Sequence, residues 1–347
     1  MSIINTTQAR MQKALFIILF FILATAGTGI VLYHQYFNYD IATIFHNPNL
    51  TFAQDKTQTV SSLAKIHHVF VIVLENHDWK DIYKSTSAPY INTVLLPHAA
   101  FATDYHNVPK NLPELHPSEP SYVLLEAGKI SFADHMFTND DQPNSVNSTS
   151  STNHLSTLLE KNSLSWKSYQ EDISGTNCPI FAEKNYVPKH NPFVFFQDVS
   201  GNPPSGNTIY CQTHIRPLTE LEGDLDSGNL TNYIFITPNL QHDMHDGSIN
   251  QADAWLATIV PMIENATAFK QDGALFITWD EGYGDAEENN PIGMIISSPF
   301  VKKGYTNDIS YSHASYVKTV QEIFTLSPLV GFAADTQTQD LTDFFNN

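Results

Sequence analysis

The chain has 347 residues, of which 42% are hydrophobic and 12% aromatic, so it can build a sizeable core and is too rich in aromatic residues for disorder. Only 17 lysines and arginines stand against 36 acids, which gives a formal net charge of −19. This charge excludes a protein that tracks the phosphate backbone of nucleic acid. A phosphate ester remains compatible as a substrate, because a bound metal can supply local positive charge.

The N-terminus predicts export. Arg10 and Lys13 precede an apolar stretch at residues 14–33, which is about the length of a helix that crosses a bilayer. Positive charge before the stretch predicts a signal anchor that leaves the rest of the chain outside the cytoplasm. A cleaved signal peptide is the alternative, because residues 24–26 fit a cleavage site, and it would release a secreted protein.

The elements of the body alternate between strands and helices. Residues 34–64 are expected to form a polar stalk, residues 65–326 the folded body, and residues 327–347 a loose polar tail. Such alternation predicts a mostly parallel sheet covered by helices on both faces. The predicted strands are 69–74, 233–238, 274–279 and 292–297, and the predicted helices are 118–128, 152–161, 248–269 and 313–326.

Two of these strands end in oxygen-bearing side chains. Glu75 and Asn76 follow the first strand, and Asp280 and Glu281 follow the third. Ligands of open α/β sheets bind beyond the carboxyl ends of such strands, so we expect the four side chains to converge. Their oxygens suit Mg²⁺, Ca²⁺ or Mn²⁺, and nearby histidines keep Zn²⁺ in consideration. The alternative is two strand ends capped by solvated acids.

A serine and two histidines are further candidates for chemistry. Ser118 begins a predicted helix between two prolines, where backbone N–H groups and the helix dipole favour negative charge; the alternative is a helix cap. His242 and His245 lie beside acids in a turn and could be metal ligands, proton donors or part of a polar surface loop. His190 and His313 are weaker candidates of the same kind.

Cys178 and Cys211 are the two cysteines of the chain. Two cysteines in an exported protein are more often a disulfide than a pair of metal ligands. We therefore predict that they are bonded to each other.

These segments, in this order, resemble the phosphoesterase family of phospholipases C and acid phosphatases, a branch of the alkaline phosphatase superfamily. The resemblance covers residues 65–326 and implies an alkaline-phosphatase-like α/β sandwich, here preceded by one N-terminal hydrophobic helix. It implies hydrolysis of phosphoric esters through a phosphoserine intermediate. The substrate would be a phosphorylated small molecule or a phospholipid, and the membrane would be a partner only through an uncleaved N-terminal helix.

The resemblance also assigns roles to individual residues. Ser118 would be the nucleophile, and His245 or His242 would donate a proton to the leaving group. Ser121, His190 and His313 would contact the substrate, although members of the family usually carry Asn where this chain has Ser121. The divalent metal would be held by Glu75, Asn76, Asp280, Glu281 and Ser118.

A non-catalytic surface binding protein on a hydrolase fold is the alternative class of function. Loss of the nucleophile or of a metal ligand would mark such a protein, and the sequence retains all of these residues.

Overall fold

The computed structural model describes residues 62–228, 230–284 and 289–346, and the predicted N-terminal anchor and most of the predicted stalk lie outside them. The strands are β1 (His68–Leu74), β2 (Ala100–Ala102), β3 (Tyr105–His106), β4 (Trp166–Gln170), β5 (Ile215–Pro217), β6 (Tyr233–Thr237), β7 (Gly273–Trp279), β8 (Met294–Ser297), β9 (Thr306–Asn307) and β10 (Tyr311–Ser312).

The α-helices are α1 (Trp79–Ile82), α2 (Ser118–Ala127), α3 (Leu155–Lys161), α4 (Gln197–Ser200), α5 (Ile209–His214), α6 (Leu221–Asp226), α7 (Ile249–Asn265), α8 (Thr267–Asp272) and α9 (His313–Ile323). Shorter 3-10 helices are Ser62–Lys65, Pro188–His190, Pro192–Phe195, Leu218–Glu220, Gly331–Ala334 and Thr342–Phe344, and Ile91–Leu95 is a π-helix.

Eight strands form one mixed sheet in the order β5-β4-β6-β1-β7-β8-β2-β9, while β3 and β10 pair separately. The pairs from β5 to β7 are all parallel, and β8 is antiparallel to both of its neighbours. Every residue of β6 and β7 is buried, so both faces of the central sheet are covered. The predicted mostly parallel α/β architecture is confirmed for the described residues.

Two details differ from the prediction. The strand at Met294–Ser297 runs antiparallel, a direction that an apolar run does not encode. The helix predicted over residues 248–269 is two helices, because Ala266 has extended backbone angles (φ −61°, ψ 143°). Ser248 caps the first of them by accepting a hydrogen bond from the Gln251 N–H, while the Gln251 side chain accepts from the Ser248 N–H.

The C-terminal segment was expected to be loose, and this expectation is wrong. Val330, Leu341, Phe344 and Phe345 are buried, and Phe345 pairs with Val301 in an isolated β-bridge. The apolar residues of this segment are few and are separated by polar ones, with neither a helical nor a strand period. Their packing therefore could not be predicted from the sequence.

Cys178 and Cys211 form a disulfide, with 5.3 Å between their Cα atoms, as predicted.

Among the described residues, no helix has the length and apolar character needed to cross a membrane.

A buried ion cluster ties α2 to two neighbouring helices. His154 Nδ1 lies 2.9 Å from Glu126 Oε1 in the last turn of α2, and its Nε2 lies 3.1 Å from Asp198 Oδ2 in α4. Burial alone would lower the pKa of His154, but its hydrogen bonds to the two acids raise that pKa to about 9. The imidazolium therefore holds the end of α2 in place at neutral pH.

We expect His154→Gln to destabilise the protein more at pH 6 than at pH 10. The folded pKa of about 9 exceeds the unfolded value of 6.5, so this stabilisation is complete below the unfolded pKa and is lost as the pH rises through about 9. The difference is on the order of 3 kcal/mol. Thermal melts of the parent and the variant at both pH values measure it. His214→Gln, which removes a partly exposed histidine 3.4 Å from Glu160, is the control; an equal gap in Tm at both pH values for His154→Gln would contradict the account.

Candidate active site

Three carboxylates meet where β1 and β7 end. Leu74 pairs with Trp279 in the parallel register, so the residues that follow them, Glu75 and Asp280, lie side by side. The backbone N–H of Asn76 donates to Asp280 Oδ1 across 3.2 Å. Glu75 and Asp280 have no exposed surface, and Glu281 is only 5% exposed. The convergence predicted from the sequence is therefore present.

The amide of Asn76 faces these carboxylates. One of its two terminal atoms lies within 3.2–3.3 Å of all three acids. If that atom is nitrogen, it donates to the acids; if it is oxygen, four oxygens converge on one point, as a hard cation requires. The backbone φ of Asn76 is 44°, in the left-handed region that asparagine tolerates better than most residues.

Ser118 joins the cluster from the first turn of α2. Its Oγ donates to Glu75 Oε2 at 3.0 Å and lies 3.5 Å from Glu281 Oε1, and the residue is 1% exposed. A cap would use this oxygen to accept from a backbone N–H of its own helix. Here the hydroxyl is turned toward acids on both neighbouring strand ends.

The buried acids raise one another's pKa values. Burial raises the pKa of Glu75 well above its usual range, and the charges of Asp280 and Asp243 add to this effect. Burial and the charge of Glu281 do the same to Asp280, and burial raises the pKa of Asp243 to about 7. A cation at this point would remove the repulsion and allow the carboxylates to ionise.

His190 lies inside this cluster. Its Nε2 is 3.3 Å from Glu75 Oε2 and its Nδ1 is 3.3 Å from Asp243 Oδ2. Burial, together with the nearby charges of Lys189 and His245, holds the pKa of His190 well below its usual range. The neutral ring is the form that binds metals.

Tyr122 holds both Glu75 and His190. Its hydroxyl donates to Glu75 Oε1 at 2.5 Å, and its ring stacks on the His190 ring with centroids 5.2 Å apart. Partners of this kind fix the orientation of metal ligands.

His245 and Lys189 stand at a more open side of the cluster. His245 offers a ligand atom within 4.8 Å of those of Glu75 and His190, so the three form a possible metal-binding group. Lys189 Nζ lies 3.3 Å from His245 Nε2 and 2.7 Å from Asp140 Oδ2. The His245 side chain is 27% exposed, so it can reach a ligand from solvent.

His116 contacts the cluster from the other side. Its Nδ1 lies 3.0 Å from Glu281 Oε2, and its Nε2 lies 3.6 Å from Glu114 Oε2. Burial would lower the pKa of His116, but the hydrogen bonds to these acids raise it to about 10, so the ring is a cation. Glu114 Oε1 also accepts a hydrogen bond from the Gly282 N–H at 2.5 Å, which fixes the chain directly after Glu281.

Two residues predicted to contact the substrate are buried and bonded to other parts of the protein. Ser121 is fully buried, and its hydroxyl is bonded to the carbonyl oxygen of Leu115 and to Asn107. His313 is also fully buried. Its ring bonds the Tyr105 hydroxyl and the backbone oxygen of Asp280, so it holds the strand end in place. A face of α2 and the first turn of α9 point inward here, so both side chains contact the protein itself, and a substrate contact of either residue stays a prediction.

His242 also differs from the prediction. Its ring bonds Glu171 at 2.9 Å and stacks near Trp255, whereas His245 is the histidine that faces Glu75 and His190. Only Asp243 and Met244 separate the two histidines along a tight turn, and the two rings point to different sides of it. The structure gives no contact between His242 and the acidic cluster.

The donor set fits a divalent metal. Asp280 Oδ2 is buried and has no hydrogen-bond partner among the described residues, as expected of an atom whose partner is an ion. Oxygen atoms of Glu75, Asn76, Asp280, Glu281 and Ser118 and the ring of His190 would hold it. Mixed oxygen and nitrogen ligands do not distinguish Zn²⁺ from Mn²⁺ or a harder ion, so the chemistry leaves the metal's identity open.

Several groups of this site had no role assigned to them in the sequence analysis. Asp243 lies between the candidate histidines His242 and His245, and His116 lies two residues before Ser118. Proximity to those candidates was the available signal for both. Tyr122 had none, because a tyrosine in an apolar helix is typical of a core.

The chain belongs to the phosphoesterase family, whose model matches residues 110–327. The phosphatidylinositol-3-phosphatase of Mycobacterium tuberculosis is 29% identical over 287 residues, which are 83% of this chain and 85% of that protein. The acid phosphatase of Aspergillus fumigatus is 25% identical over 319 residues, 83% of this chain and 66% of that protein. The phosphate-repressible acid phosphatase of Penicillium chrysogenum is 29% identical over 222 residues, 62% of this chain and 50% of that protein. The resemblance inferred from the sequence is confirmed, and so is the class of phosphoric ester hydrolase.

Solved structures support the fold. The phosphonate monoester hydrolase of Silicibacter pomeroyi has a TM-score of 0.51 at 11% identity, covering 80% of this chain and 76% of that one. A protein of the glycosaminoglycan-metabolism locus of Bacteroides thetaiotaomicron has a TM-score of 0.53 at 12% identity, with 81% and 82% covered. At these identities the likeness shows the fold alone, which is a mostly parallel mixed sheet with helices.

We expect the full-length chain to bind at least one equivalent of divalent metal after reconstitution, and Asp280→Asn to bind much less. The substitution removes one charge from the cluster and replaces a buried oxygen with an N–H donor that faces ligands. Elemental analysis after gel filtration measures the metal. Glu222→Gln, which removes an exposed acid outside the cluster, is the control and should keep the metal. Equal metal in all three proteins, or none in the parent, would contradict the prediction.

Proposed function

We propose that this protein is a metal-dependent phosphatase of the acid-phosphatase type that acts through a phosphoserine on Ser118. The observation that carries the proposal is the Ser118 hydroxyl, which donates to Glu75 Oε2 at 3.0 Å inside a buried cluster of acids. Burial raises the pKa values of the three acids around this hydroxyl, and a purely structural hydroxyl gains nothing from such neighbours. A nucleophile next to a metal needs this arrangement.

The residues divide the reaction between them. Glu75 accepts the hydrogen bond that orients the Ser118 hydroxyl. The metal, when bound, lowers the pKa of that hydroxyl and neutralises charge on the phosphoryl oxygens. Ser118 Oγ gives its proton to Glu75 Oε2 and attacks the phosphorus in line. Its bond to phosphorus forms as the bond to the leaving oxygen breaks, and the leaving oxygen takes a proton from His245. Water then attacks the phosphoserine and gives a proton to His245, while the departing Ser118 oxygen takes its proton back from Glu75, which releases phosphate and restores the serine.

His245 is assigned as the proton donor in preference to His242. Its ring is part of the group formed with Glu75 and His190, and its Nδ1 lies 2.8 Å from Asp246 Oδ1. An acid bonded to one ring nitrogen fixes the orientation of the ring. Because the donor must be protonated, the activity is expected to favour acidic pH.

The substrate class that we propose is a phosphomonoester. The relatives that span 83% of this chain are phosphatases by name, and one of them is a phosphatidylinositol-3-phosphatase. A soluble phosphomonoester or the phosphorylated headgroup of a lipid would suit the same chemistry. Cleavage of the phosphodiester of a phospholipid, as in phospholipases C, is the less supported form of the activity.

We also propose that the domain acts outside the cytoplasm, held there by the N-terminal anchor or released by cleavage of a signal peptide. The Cys178–Cys211 disulfide supports this, because such bonds persist in oxidising compartments.

Ser118→Ala should lower phosphate release from p-nitrophenyl phosphate by several orders of magnitude while leaving metal content and Tm close to those of the parent. Acid quenching of the parent with labelled substrate should place phosphate on Ser118. Ser121→Ala is the matched control on the same helix; it should cost about 1 kcal/mol of stability and leave turnover within a few-fold. Near-normal turnover in Ser118→Ala would overturn the proposed function.

His245→Ala should slow alkyl phosphates far more than p-nitrophenyl phosphate. An alkoxide leaving group needs a proton in the transition state, whereas p-nitrophenolate leaves without one. The ratio of kcat/KM for the two substrates, parent against variant, measures the effect, and His242→Ala should leave the ratio unchanged. An equal loss on both substrates, accompanied by loss of metal, would show that His245 is a ligand and not the donor.

A further inference from the structure

Asp140 holds an unusual position beside Ser118. Its Oδ1 accepts a hydrogen bond from the backbone N–H of Glu119 at 2.9 Å, and its Oδ2 accepts from Lys189 Nζ at 2.7 Å. Glu119 directly follows Ser118 in the first turn of α2. The Asp140 carboxylate thus bridges the Glu119 N–H, which adjoins the proposed nucleophile, and the Lys189 ammonium group, which lies beside His245.

These donors are those that a phosphoryl group would use. The N-terminal turn of a helix favours anions, and a lysine opposite it adds a positive charge. The buried cluster beside these donors also points to a ligand: His190 is 2% exposed, and its Nε2 has no hydrogen-bond partner among the described residues, as expected of a ring that binds the metal next to which a phosphoryl group would lie. That Nε2 lies 3.3 Å from Glu75 Oε2, the same oxygen to which Ser118 donates.

The chain around Asp140 is anchored separately from its carboxylate. The carboxylate of Glu119 accepts from the Asp141 N–H at 2.8 Å and from the Asn147 side chain at 3.1 Å. The side chain of Asp140 itself is 26% exposed. Its carboxylate can therefore turn toward solvent while the backbone of the loop stays fixed.

We propose that Lys189 and the Glu119 N–H form the subsite for the non-bridging phosphoryl oxygens, and that the Asp140 carboxylate occupies these donors until a phosphate displaces it. The inference rests on the proposed function and adds to it a residue that binds the phosphoryl group and an internal anion that competes with it. A dianionic phosphomonoester would displace a single carboxylate more effectively than a monoanionic diester, so this subsite favours monoesters.

The two side chains should have opposite effects on binding. Lys189→Met removes a charge-assisted hydrogen bond and should raise the Ki of inorganic phosphate and the KM of p-nitrophenyl phosphate by roughly tenfold to a hundredfold. The rise should be smaller for bis(p-nitrophenyl) phosphate, and Lys189→Arg should restore most of the affinity. Asp140→Asn keeps the shape but removes the competing charge, so it should lower the Ki of phosphate several-fold. In both variants kcat should change much less than KM.

Lys110→Met is the control, since Lys110 forms an exposed ion pair with Asp104 at 2.8 Å. It should leave both constants unchanged. A rise in Ki for Asp140→Asn similar to that for Lys189→Met would overturn the inference, because Asp140 would then only hold the lysine in place. Unchanged constants in both variants would overturn it as well.

Isothermal titration of inorganic phosphate into metal-loaded, full-length Ser118→Ala, with and without Asp140→Asn, tests the subsite independently of turnover. Tighter binding with Asp140→Asn supports the exchange, and unchanged or weaker binding contradicts it. An active Ser118→Ala protein would instead refute the proposed function and leave this binding result to stand by itself.

Discussion

The burial of several carboxylates at the end of the central sheet is the constraint on which the rest of the site depends. Glu75 and Asp280 have no exposed surface and accept few hydrogen bonds, and removing such groups from water costs several kcal/mol per charge. Only protons or a cation can offset this cost. The neutral ring of His190 and the hydroxyl of Tyr122 then complete the surroundings of the cluster without adding positive charge of their own.

The cations of the site offset the negative charge of the chain locally. With a net charge of −19, the chain as a whole repels anions, so an anionic substrate must be attracted locally. His116 and Lys189 supply that charge on opposite sides of Ser118, and each is paired with acids in the structure. Pairing keeps these cations ordered in the absence of substrate. It also means that binding is an exchange of partners, which selects for ligands with enough charge to replace a carboxylate.

Much of this arrangement could be predicted from the sequence, because part of it depends on residues that are adjacent in the chain. Short apolar runs followed at once by Glu75-Asn76 and Asp280-Glu281 locate the ends of buried strands, and the order of segments identifies the family. Contacts made through loops could not be predicted, since nothing in the sequence indicates that Asp140 would meet Lys189 across the cleft. The direction of individual side chains also could not be predicted from the sequence. Ser121 and His313 are close in the sequence to candidate site segments, yet a face of α2 and the first turn of α9 turn them inward.

The pairing of Leu74 with Trp279 places the site at the end of the two central strands of the domain. Both strands are buried along almost their whole length, and the most protected backbone amides of a protein usually lie in such strands. Local opening of surface loops therefore leaves the acidic cluster intact, and the cluster separates only when the sheet itself comes apart. An ion bound there would link the most deeply buried strands to the chemical centre, so the active site would last as long as the folded sheet does.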